Sequence, residues 1–158
     1  MIPQIYPVAN IGKGQLYVMP KPSAEWLEED VKYFASLGVT KVVSLLESDE
    51  EFELGLRNEK NALQAEGIDF LRFAIKDRNL PEPRSFGHLV DNLYRDIQNG
   101  QSIAVHCRAG IGRTGVLACC LLIKDNLAPE QAIDQVSAVR NIRIPDTQEQ
   151  FDFICDYQ

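Results

Sequence analysis

Ser102-Ile103-Ala104-Val105-His106-Cys107-Arg108-Ala109-Gly110-Ile111-Gly112-Arg113-Thr114 is the stretch on which the fold of this chain turns. Its first four residues form a short apolar run of the kind found in a buried strand. A cysteine follows, then five residues with two glycines, then an arginine and a hydroxyl residue. Thr114 to Lys124 then reads as a helix. Cys107 therefore falls where a strand ends, and Gly112 to Thr114 open the helix. The N–H groups of such a loop point inward, and the helix start adds positive potential. A dianionic phosphate fits there, and so does a thiolate.

Working outward, strands and helices alternate. Leu16 to Met19 reads as a first strand, closed by Pro20 and Pro22. Ser23 is a candidate N-cap for a helix carrying Leu27, Val31 and Phe34 and stopped by Gly38. Lys41 to Leu46 predicts a strand, Phe52 to Glu66 a helix, and Phe70 to Ile75 another strand. Asp77 to Pro83 is a loop bounded by prolines. Phe86, Leu89, Val90, Leu93 and Ile97 share one face of a helix that Asn99-Gly100 ends. After the Cys107 loop and its helix, Pro129 opens a helix with Ala132, Ile133, Val136 and Val139. Thr147 to Tyr157 is the last, with Phe151 and Ile154 inward. The pattern predicts an α/β fold: a central, mostly parallel sheet flanked by helices, with the phosphate-binding loop between a strand and a helix. Ligands in such sheets sit at the carboxyl ends of strands, where Cys107 lies.

The 158 residues fit a single domain over 1–158. A net charge of −7 argues against nucleic acid or an anionic membrane as the main partner. The acidic run Glu47, Asp49, Glu50, Glu51 and Glu53 is expected to be a solvated loop and helix start. Arg108, Arg113, Arg140 and Arg143 instead gather near the cysteine loop, which suits an anionic substrate. Cys107, Cys119, Cys120 and Cys155 match no zinc spacing and form no disulfide framework, so a reducing compartment is expected. Cys119, Cys120 and Cys155 are expected to be buried. The N-terminus lacks a secretory pattern, and Val116 to Ile123 is too short to span a bilayer. The expectation is a cytoplasmic protein with no membrane insertion; the oligomeric state stays open.

His106-Cys107-x5-Arg113-Thr114 resembles the signature of the cysteine-dependent protein tyrosine phosphatase superfamily. The version here, HCRAGIGRT, is most similar to its compact dual-specificity branch. Gly110 and Gly112 match as well. The resemblance implies Cys107 as nucleophile, Arg113 as phosphate clamp and no metal or organic cofactor. An arginine fork suits the clamp because it binds two oxygens at once. The loop amides of Arg108, Ala109, Gly110, Ile111, Gly112 and Arg113 would cradle the phosphate. Asp77, on its proline-bounded loop, is the candidate general acid; typical members carry proline before it, where this chain has Lys76. Thr114 would donate to the departing sulfur, and His106 would order the loop. Asp146 to Gln150 resembles the family's glutamine-bearing loop: Gln150 matches its second glutamine, and Asp146 stands at the first.

The expected activity is phosphomonoester hydrolysis through a phosphocysteine, on phosphotyrosine and also phosphoserine or phosphothreonine in proteins. The alternative is a phosphoinositide or inositol phosphate phosphatase. Arg108 would suit extra phosphates, yet Ile111 adds no second loop cation. A non-catalytic phosphate-binding module fits less well, since a pure binder needs neither acid nor nucleophile.

Overall fold

The computed structural model describes residues 2–158. Its strands are β1 (Tyr6–Ile11), β2 (Gly14–Met19), β3 (Lys41–Ser44), β4 (Asp69–Arg72) and β5 (Ser102–His106), in one sheet of order β1-β2-β5-β3-β4. β2, β5, β3 and β4 run parallel, and β1 is antiparallel to β2 at one edge. β5 is the central strand. Ile103 and Val105 pack into the core on one face, and Ala104 into the core on the other. A parallel strand covered on both faces takes apolar residues at successive positions, which is why its run is continuous rather than alternating.

The helices are α1 (Leu27–Ser36), α2 (Ser48–Glu53), α3 (Glu59–Ala65), α4 (Pro83–Gln98), α5 (Gly112–Lys124), α6 (Pro129–Arg140) and α7 (Gln148–Asp156). Val31, Phe34 and Leu63, from α1 and α3, join Val42 and Ala104 in one core. Phe86, Val90, Leu117, Ile133 and Ile154, from α4 to α7, fill the other. α5 packs against α4, α6 and α7, and every residue from Gly112 to Leu122 is buried. A helix enclosed on all sides has no polar face, which explains its run of apolar residues. Among the described residues, no helix is long and apolar enough to cross a membrane.

The expected α/β architecture holds, with five corrections. The edge strand β1 was not expected; Pro7 breaks its pattern and is tolerated because the strand lies at the sheet edge, beside a bulge between Pro7 and Ala9. The helix predicted over Phe52–Glu66 is two helices. α2 starts at Ser48 on a capping box between Glu47 and Glu50, and Gly55, with φ +71°, separates it from α3. Ser23 caps a turn before α1 by accepting from Trp26 N–H at 3.1 Å, and the helix itself begins at Leu27. The acidic run is not a solvated loop throughout: Glu50 and Glu51 are buried, paired with Arg113 and Arg72. Cys119 and Cys120 are buried as expected, whereas Cys155 is exposed on α7.

β5 is pinned where it ends. The His106 ring is fully buried, with Nε2 2.6 Å from Glu59 Oε2 on α3 and Nδ1 donating to the Cys107 carbonyl at 3.1 Å. Burial works against charge on the imidazole, but Glu59 outweighs it and raises the ring above its ordinary 6.5. A raised folded-state value means stabilisation that is complete below 6.5 and drains away as pH climbs through the raised value. Glu59→Gln should therefore destabilise the protein by about 1–3 kcal/mol near pH 6 and by less near pH 9. Denaturant unfolding of both proteins at the two pH values checks this. An equal loss at both would mean that the pair carries no charge-dependent stabilisation.

Candidate active site

The loop from Cys107 to Gly112 turns back over the end of the sheet. Gly110 adopts φ +74°, and a Cβ there would run into the Met19 carbonyl, so the chain approaches β2 more closely than a side chain allows. A Cβ on Gly112 would stand 2.6 Å from Asp146 Oδ2. The loop carbonyls are held outward: Arg108 O accepts from Lys21 N–H at 3.1 Å, and Ala109 O from Arg140 Nη2 at 2.8 Å. Arg140 also lies over the Tyr6 ring, 4.6 Å from its centroid. Two loop carbonyls are thus engaged by other segments, and the first turn of α5, where helix N–H groups favour an anion, follows directly beside a small cavity.

That cavity has a volume of about 120 Å³. Cys107, Arg108, Ala109, Gly112 and Arg113 line one side of it. Asp77 and Arg78 close it from the loop after β4, and Asp146 from the segment before α7. The sequence-predicted nucleophile, clamp and acid thus meet in one cavity. Asp77 is half-exposed, with its side chain 52% accessible and Oδ1 3.2 Å from Arg113 Nη2.

Arg113 is almost wholly buried and its fork is fixed by the protein. Nη1 donates to Glu50 Oε1 at 2.7 Å and to the Ile75 carbonyl at 2.8 Å, and Nη2 donates to Glu50 Oε2 at 3.0 Å. Nε has no protein partner. One edge of the guanidinium is thus taken by Glu50, while the Nε–Nη2 edge holds only Asp77. Two oxygens of a phosphate match that remaining edge. Burial opposes the charge on both partners, but their mutual hydrogen bonds win, so the Glu50 carboxyl is lowered and the Arg113 guanidinium raised.

The other expected residues are placed as follows. Thr114 is fully buried, and its Oγ1 has no protein partner, so the expected bond to the sulfur is not formed. Gln150 is buried and accepts from the N–H groups of Asp146 and Thr147 at 3.1 and 3.2 Å, supporting the segment that carries Asp146. Arg108 extends toward the mouth, where Nε lies 3.6 Å from Glu50 and Nη2 4.0 Å from Glu53. Arg143 stands apart, paired with Asp134 at 3.0 Å. Glu50 and Glu59 escaped sequence analysis. The acidic run was expected to hold a helix start, but nothing in it announced an arginine partner 63 positions later. Among the described residues, no group of three His, Cys, Asp or Glu side chains could hold a metal ion.

The family described as "PTP-SAK: Swiss Army Knife protein, DSP-PTPase phosphatase domain" matches residues 8–151. Protein tyrosine phosphatase domain-containing protein 1 of Bos taurus is 32% identical over 136 residues, covering 79% of this chain. The chain corresponds to only 17% of that relative's length. Two solved structures share the fold. A kinase associated phosphatase with its catalytic-site cysteine changed to serine superposes with TM-score 0.88 at 21% identity, covering 98% of this chain and 93% of that one. PTPMT1 in complex with PI(5)P gives TM-score 0.72 at 20% identity, covering 94% and 92%. The match over residues 8–151, a range that contains Asp77, Cys107 and Arg113, places this chain in the dual-specificity phosphatase branch of the protein tyrosine phosphatase superfamily.

Proposed function

We propose that the chain acts as a single phosphatase domain over residues 1–158 that hydrolyses phosphotyrosine, and also phosphoserine and phosphothreonine, in proteins. The observation that carries the chemistry is the convergence of Cys107, the open edge of Arg113 and Asp77 on one small cavity. The Cys107 thiolate attacks phosphorus as the ester oxygen leaves. Asp77 delivers the proton that this oxygen needs. Arg113 and the loop amides hold the three equatorial oxygens through the transition state. An incoming phosphate displaces Asp77 from its ion-pair contact with Arg113 Nη2, freeing the carboxyl to turn toward the leaving group. Water then attacks the phosphocysteine, Asp77 takes its proton, and phosphate and the thiolate are released.

A protein substrate, rather than an inositol polyphosphate, is favoured by the state of Arg108. Its charge already faces Glu50 and Glu53, and Asp146 adds a carboxylate to the cavity wall. A single phosphate is well served by Arg113 and the amides. Further phosphates would meet Arg108 already compensated and Asp146 repelling them, with the exposed Arg78 left to answer them.

Cys107→Ser should abolish turnover of an aryl phosphate while oxyanion binding persists, because a hydroxyl is not ionised near neutral pH. Steady-state hydrolysis and phosphate titration of the same preparation measure the two separately; a tenth of wild-type turnover remaining would remove Cys107 from the nucleophile's role.

Asp77→Ala should slow turnover by roughly 10²–10⁴-fold. The deficit should shrink for aryl phosphates with acidic leaving groups, which depart without a proton. A deficit independent of the leaving group would assign the acid to another residue.

Glu50→Gln should lower kcat by about tenfold or more with little rise in KM, because Arg113 keeps its charge but loses its fixed orientation. An unchanged kcat would show that the Ile75 carbonyl alone orients the fork.

A further inference from the structure

A second and larger cavity lies between α7 and the Asp77–Pro83 loop, whose first residues line the catalytic cavity. Its volume is about 460 Å³. Leu80 and Pro83 form one wall, and Phe153 and Tyr157 form the other. Leu80 is 42% accessible, a large apolar side chain left uncovered three positions after the candidate acid. The rim is acidic: Glu149, Asp152 and Asp156 line it, spaced by three and four residues so that they share one face of α7.

The fold makes little use of these carboxylates. None of them enters an ion pair among the described residues, and Asp152 accepts only from Gln148 Nε2, at 3.0 Å. Asp156 stands in the last turn of α7, which carries no basic residue, where the helix dipole disfavours an acid. The local potential is negative enough to register on a neighbour: burial first, then Asp152, Asp156 and Glu130, raise the Cys155 thiol. Asp146, in the segment leading into α7, lines the catalytic cavity itself. The acidic track therefore starts at the site of chemistry and runs along the apolar groove.

We propose that this groove seats a basic segment of the phosphoprotein substrate, with one large apolar side chain between Leu80, Pro83, Phe153 and Tyr157. The assignment rests on the protein-phosphatase function proposed above. Lysine or arginine of the substrate would answer Glu149, Asp152 and Asp156, charges that the fold leaves unanswered. From Glu149 to Asp156 the helix rises about 10 Å, the span of roughly three residues of extended peptide. Asp146, three positions before Glu149, already lines the catalytic cavity, so the recognised positions are placed within about five residues of the phosphorylated one.

The test compares two phosphopeptides and an aryl phosphate. One peptide carries two lysines and a leucine within five residues of the phosphotyrosine, in versions with these placed before or after it; the other carries glutamates and a serine instead. Wild type should prefer a basic–apolar version by about tenfold in kcat/KM, and the preference should fall as salt is added. Asp152→Lys with Asp156→Lys should erase or invert that preference and leave aryl phosphate turnover within about twofold. The milder Asp152→Asn with Asp156→Asn should weaken the preference in the same direction. A preference that survives in both variants, or that is absent from wild type while both peptides are hydrolysed, would overturn the docking assignment alone. Loss of aryl phosphate turnover in both variants would also overturn it, by making the acids structural. Wild type that hydrolyses the aryl phosphate but neither peptide would overturn the protein-substrate function and the groove assignment with it.

Discussion

The buried ion pair between Arg113 and Glu50 is the constraint around which the site is arranged. Isolated, either charge would be costly at this depth, and together they are tolerable only because every donor on the shared edge is matched. The same guanidinium takes the Ile75 carbonyl and approaches Asp77. The segments after β3, β4 and β5 are thus gathered around one side chain at the carboxyl ends of parallel strands. Such a pair contributes modestly to stability compared with an apolar replacement. Its contribution is orientation: with one edge occupied by Glu50, the fork can present only its other edge to a ligand.

Rigidity is distributed unevenly around that fork. Cys107, Arg113 and Thr114 are buried, and α5 behind them is enclosed by three other helices. The opposite wall is looser: Asp77, Arg78, Asn79 and Leu80 are all exposed, and Pro81 is the first buried residue that follows. A thiolate and its cradle need fixed geometry before substrate arrives. A proton donor that must reach leaving groups of different shapes gains from a segment with few packing contacts. The contrast between the two walls thus follows from ordinary packing around one core helix.

Charge follows a similar division. The chain is acidic as a whole, at −7, yet the cavity is lined by three arginines, Arg78, Arg108 and Arg113, beside a helix start. Of the two nearer the mouth, Arg108 faces Glu50 and Glu53, and Arg78 stands on the exposed loop after β4. The buried cation, Arg113, thus sits at the depth of the cavity, and the carboxylates of Glu50, Asp77 and Asp146 stand around it. In a low-dielectric recess a few fixed donors outweigh many solvated carboxylates farther away, because screening and distance weaken the latter.

How much of this could be read from the chain depends on the range of the interactions. The strand–loop–helix around Cys107 was legible because its determinants are local: a short apolar run, two glycines, an arginine and a hydroxyl in one unbroken segment. The amphipathic α4 was legible for the same reason, and its five core residues are all buried. β1 was obscured by Pro7, whose missing donor is harmless only at an edge that tertiary structure defines. The break between α2 and α3 was hidden because Gly55 interrupts residues that otherwise favour a helix. Asp77 could be placed on its loop, but its approach to Arg113 joins positions 36 apart in sequence. Glu50 was taken for one solvated acid among several, since neighbouring acids look alike until packing selects which one is buried. By itself the sequence determined the alternation of strands and helices from Leu16 onward and the strand–loop–helix around Cys107. Only the tertiary structure decided which carboxylate holds the arginine, which edge of the fork stays open and which acids are left facing outward, because those choices are made by contacts between residues that no local pattern connects.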